Sequence, residues 1–87
     1  MSTVLTETVD QRTGHIRAAG HLTVQGADLL RGTADSLRHH GHSRVVMDLA
    51  GVRDADDAGL AILRALHRAF TAGGGELLIR HAPAWAI

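Results

Sequence analysis

Apolar and polar positions change period four times along the 87-residue chain, and each change marks an element. Val4, Thr6, Thr8 and Asp10 alternate with Leu5, Glu7 and Val9 without keeping one apolar phase, which predicts a strand over 3–10 at a sheet edge. Gln11-Arg12-Thr13-Gly14 reads as a turn, with Gly14 free to take a positive φ. His15-Ile16-Arg17-Ala18-Ala19-Gly20 returns as the second strand of a hairpin ending near Leu22. From Ala27 the period becomes helical: Leu29, Leu30, Ala34 and Leu37, extended by Val24, fall on one face opposite Arg31, Asp35 and Arg38. Gly41 closes that helix.

Arg44-Val45-Val46-Met47-Asp48-Leu49 is a compact apolar run that suits a central buried strand. A short acidic loop follows. Leu60, Ile62, Leu63, Leu66, Ala69 and Phe70 then form a broad apolar helical face, with Arg64, His67 and Arg68 turned to water. Gly73-Gly74-Gly75 stops the helix, and Glu76-Leu77-Leu78-Ile79-Arg80 gives a fourth strand. The predicted order is β-β-α-β-α-β, an open mixed α/β sheet with helical crossovers in one domain spanning 1–87.

Composition narrows the function. The apolar fraction is 45%, but the only aromatic residues are Phe70 and Trp85, so the core rests on Leu, Val, Ile and Ala. Nine basic residues balance nine acidic ones, leaving no electrostatic footprint for nucleic acid. All the basic residues are arginine, which removes Schiff-base and P-loop chemistry; zero cysteine removes disulfides, thiol nucleophiles and thiolate metal sites. With no signal-like N-terminus and no membrane-length apolar run, the expectation is a soluble cytoplasmic domain without direct membrane insertion.

The densest chemistry is Asp54-Ala55-Asp56-Asp57-Ala58-Gly59-Leu60, at the start of the second helix. Unpaired N–H groups and the positive end of the helix dipole favour acidic groups there. Asp56 or Asp57 capping the helix explains one or two of the carboxylates, but the cluster Asp54, Asp56 and Asp57 exceeds what a cap uses, so a recognition surface is the preferred reading. In open α/β sheets ligands meet the loops at the carboxyl ends of parallel strands, where this stretch lies. Phosphoryl transfer to Asp, as in response-regulator receivers, takes a lysine and a longer chain, and both are lacking.

Three other features have structural explanations. His39, His40 and His42 invite a metal, yet adjacent helical residues diverge by about 100°, and a solvated helix end suits them as partners of the C-terminal dipole. Gly73–Gly75 follows a helix and leads into a strand, the reverse of a phosphate loop. Asp48, inside an apolar strand, is read as structural. No catalytic residue, cofactor or metal is expected.

Val45-Val46-Met47-Asp48-Leu49-Ala50-Gly51-Val52, followed by Asp56-Asp57-Ala58-Gly59-Leu60, resembles the pattern of STAS domains, whose best-known soluble members are bacterial anti-sigma factor antagonists. Gly20-His21-Leu22-Thr23, the Gly73–Gly75 connection and the Leu77–Ile79 strand fit the same pattern, so the resemblance covers 4–83. It implies a non-enzymatic adaptor that binds a serine-kinase anti-sigma factor through Asp54, Asp56, Asp57, Ala58 and Gly59. In such antagonists the partner phosphorylates a serine at the position held here by Asp57. Aspartate offers no hydroxyl, and its single charge only partly imitates phosphate, so the resemblance implies a lost phosphoswitch.

STAS modules also serve as accessory subunits of membrane transport ATPases, and a self-assembling module is a further alternative. STAS domains generally continue beyond the fourth strand with a helix, a short strand and a final helix. Their lack here leads to an expected homodimer, with Trp85 and Ile87 as the patch that folds back or docks on a second copy.

Overall fold

The computed structural model describes residues 5–82. Strands β1 (Thr6–Asp10) and β2 (His15–Leu22) form the hairpin, followed by α1 (Val24–His39), β3 (Arg44–Ala55), α2 (Asp57–Ala72) and β4 (Glu76–Arg80). The order along the chain is the β-β-α-β-α-β predicted above. The sheet runs β1-β2-β3-β4, with β1 antiparallel to β2 and the other two pairs parallel.

Alternation along the strands explains the layers. Ile16, Ala18 and Leu22 from β2, Val45, Met47 and Leu49 from β3, and Leu77 from β4 are buried. They meet Leu30, Ala34 and Leu37 of α1 and Leu60, Leu63, Leu66 and Phe70 of α2 in one cluster. On the other face the register sets Arg17, Asp48 and Arg80 side by side across three strands. Asp48 is therefore not an intruder in the core. Its carboxylate accepts the Ala50 N–H at 2.9 Å and faces His81 Nδ1 at 2.9 Å, and these two contacts hold it below the usual carboxylate range.

Several boundaries differ from the sequence expectation, each for a physical reason. Helix α1 starts at Val24 rather than Ala27, because Thr23 caps it and its first turn carries no buried residue before Gly26. The inward stripe is Gly26, Ala27, Leu30, Ala34 and Leu37; Leu29, expected on it, is 50% exposed, and Val24 is 41% exposed. Ala69 of α2 also faces out, whereas Arg64, His67 and Arg68 are exposed as expected. Strand β3 runs on to Ala55, so half of the stretch read as an acidic loop is strand, held by pairing of His21 with Asp54 and Leu22 with Ala55. For the edge strand, the structure describes Thr6–Asp10. The expected patch at Trp85 and Ile87 lies outside the described residues.

Phe70 closes the end of the core opposite the Asp54–Gly59 stretch. It is fully buried, the Arg38 guanidinium stacks 5.2 Å from its ring centroid, and its carbonyl accepts the Gly75 N–H at 2.8 Å. Between α2 and β4 lies a groove of about 630 Å³ floored by leucines such as Leu63 and Leu77 and edged by Arg64, His67 and Arg68. As the only Phe, Tyr or Trp ring among the described residues, Phe70 carries a large share of the core. Phe70→Ala should lower unfolding free energy by about 3–5 kcal/mol in urea titrations. A loss under about 1 kcal/mol would show that the core does not depend on it.

Candidate functional site

The parallel pairing of β2 with β3 brings both strands' carboxyl ends together, and each strand feeds a helix there. The two helix starts sit against one another. The Asp56 N–H donates to the Leu22 carbonyl at 2.9 Å, tying the α2 entrance to the end of β2. One turn later, Gly59 is buried against the same segment: a Cβ placed on it would lie 3.0 Å from the carbonyl oxygens of both Leu22 and Thr23. Gly59 thus serves an approach within the molecule, of α2 onto the β2–α1 turn. The next residue, Leu60, turns into the core.

The three carboxylates of the entrance are not equivalent. Asp54, on β3, has an oxygen against His21 Nδ1. Asp56, at the N-cap of α2, has one 3.3 Å from His21 Nε2. The imidazole lies between them, and its pKa is raised by the Asp54 hydrogen bond first and by Asp56 as well, against a desolvation that opposes them. With each nitrogen facing a different carboxylate, the three groups do not converge on one ion. No cluster of three metal-ligating side chains occurs among the described residues. Asp57, in the first turn, is exposed and has no hydrogen bond or ion pair among the described residues. Ala58 beside it is exposed too.

The capping expectation needs correction. Asp56 occupies the cap position with the extended backbone of a cap (φ −78°, ψ 146°), yet its side chain makes no cap hydrogen bond. Thr23, at the same place on α1, does cap, accepting the Gly26 N–H at 3.0 Å. The Asp56 carboxylate instead faces His21.

His21, quoted above only within Gly20-His21-Leu22-Thr23, was not expected beside the carboxylates. It lies 33 residues from Asp54 in sequence, and only the strand register brings the two together. The available signal was electrostatic: crowded carboxylates call for a cation. Of the three histidines that invited a metal, His39 and His40 face the carbonyls of Asp35 and Ser36 one turn back, at 2.8 and 2.7 Å, and His42 reaches that of Gln11 at 2.6 Å.

This strand-entrance-helix geometry agrees with the comparisons. Residues 5–87 match the family model described as "Mlab, STAS domain". The chain belongs to the STAS family. No curated protein matches it significantly. Among solved structures, this STAS domain is similar to the one described as "Crystal Structure Analysis of Mglu", with a TM-score of 0.71 and 20% identity over 88% of the present chain. It spans only 20% of that longer protein. It is also similar to "Structure of the Anti-Sigma Factor Antagonist SpoIIAA in its Unphosphorylated Form", with a TM-score of 0.67 and 12% identity, covering 94% of this chain and 77% of that one. At such identities the likeness establishes a shared fold.

Gly59 offers a direct check on the entrance. In Gly59→Ala the new methyl meets two backbone carbonyls that cannot rotate away, so stability should fall by about 1–3 kcal/mol. Gly32→Ala, on the exposed side of α1 with nothing within 4 Å, should instead gain about 0.5–1 kcal/mol. Thermal or urea unfolding of the pair measures both; equal effects of one sign would refute the close approach.

Proposed function

We propose that this STAS domain is a non-enzymatic regulatory adaptor, similar in role to an anti-sigma factor antagonist, that docks through the α2 entrance on a serine-kinase anti-sigma factor. The observation that carries this reading is the inequality of the carboxylates. Asp54 and Asp56 are engaged by His21, which leaves Asp57 and Ala58 presented to solvent on a helix start anchored by Gly59. An anchored entrance with one unpaired carboxylate suits recognition of a protein surface: Asp57 and Ala58 make the contact, Asp54 and Asp56 hold the entrance in shape, and Gly59 lets it seat. Membership of the STAS family and a fold shared with an antagonist support the role.

Asp57 stands where the resemblance implies a phosphorylatable serine, and a carboxylate at that place carries a fixed negative charge. The adaptor therefore lacks the phosphoswitch at this site. On this reading the chain acts in the cytoplasm and associates as a homodimer.

Affinity capture from source-organism lysate, with wild type and Asp57→Ser side by side, tests the proposal. A kinase-type anti-sigma factor should appear with both, and ATP should release the serine variant alone. Capture of a transport ATPase in its place would move the domain to the accessory-subunit role. Recovery of the chain with only itself would make it a self-assembling module.

A further inference from the structure

The uncapped start of α2 sets up a competition for one carboxylate. Asp56 has the backbone of a cap residue, and two N–H groups of the first turn, those of Ala58 and Gly59, have no acceptor among the described residues. Its side chain instead faces His21 Nε2. An imidazolium donates from both nitrogens and satisfies Asp54 and Asp56 at once; a neutral imidazole has one N–H. Asp54, the register partner of His21, takes that remaining N–H through Nδ1, so deprotonation turns an Nε2 lone pair toward the Asp56 carboxylate. Two acceptors then face one another, while unpaired donors wait on the adjoining helix turn.

We propose that Asp56 is a two-position switch thrown by His21: it pairs with the imidazolium and, when His21 loses its proton, turns to cap α2. The charged side chains that face His21 are Asp54 from β3 and Asp56 from the α2 cap. Both favour the charged ring, so the paired position is complete where an ordinary imidazole is protonated and is lost as pH rises through the raised value in the folded protein. The N–H groups beside Asp57 are open below the transition; above it, Asp56 occupies one of them. For the docking reading proposed above, on which only this consequence rests, the switch changes the hydrogen-bonding face offered to a partner as pH rises through the raised His21 pKa.

The switch is measured on the free protein by NMR titration of the His21 ring nitrogens together with the Ala58 and Gly59 amides. In wild type, one of those amides should move downfield with the same midpoint as the ring. In His21→Ala, which offers neither charge nor donor, that amide should stay in the downfield, capped position wherever Asp56 is ionised. In Asp56→Ala it should stay in the uncapped position, and the His21 midpoint should fall. Amides that ignore the His21 titration in wild type, or a His21→Ala amide that remains uncapped, would overturn the switch. Failure to capture a kinase would leave these titrations unaffected, so the two readings fail separately.

Discussion

The contact on which the entrance depends is the seating of the first turn of α2 on the end of β2. One backbone hydrogen bond, from Asp56 N–H to the Leu22 carbonyl, and one missing side chain, at Gly59, bring a helix start within van der Waals distance of a peptide backbone. The consequences run both ways along the chain. Leu60 and Leu63 are lowered onto the sheet, and Asp54 and Asp56 are brought to opposite edges of one imidazole. Asp57 is left on the outer side, where the helix dipole favours its charge. A bulkier residue at position 59 would lift all of these together.

The layered fold was legible because its signals are periodic. Strand alternation at Ile16/Ala18 and Val45/Met47 and the helical spacing of Leu60, Leu63, Leu66 and Phe70 state which faces are buried. Errors came where burial and period disagree. Leu29 looks like a core residue in sequence, but the small Gly26 and Ala27 carry the close contact of α1, and Gly26 packs against Leu5. The length of β3 was hidden because residues 50–55 lack an apolar run; partner register, a non-local property, extends that strand to Ala55. The sequence singles out Asp54, Asp56, Asp57, Ala58 and Gly59, which lie together at the α2 entrance, but it does not set His21 beside them, because a counterion recruited across 33 residues leaves no local pattern.

The same distinction separates shape from chemistry in the functional reading. The family and the α/β frame follow from pattern and fold, whereas the behaviour of the entrance follows from which carboxylate has a partner. On the proposed docking reading, Asp57 carries a fixed charge where the resemblance implies a switchable serine hydroxyl. His21 is the titratable cation at this place, and it acts on the residue that would otherwise close the helix end.

Amide hydrogen exchange at Asp56 tests the central constraint most directly. If the Asp56–Leu22 hydrogen bond ties the entrance to the sheet, this amide should exchange only together with core amides of β3 such as Met47. Exchange as fast as at Arg12, whose amide is held only by the exposed Asp10 side chain, would show that α2 starts without that anchor and would contradict the account.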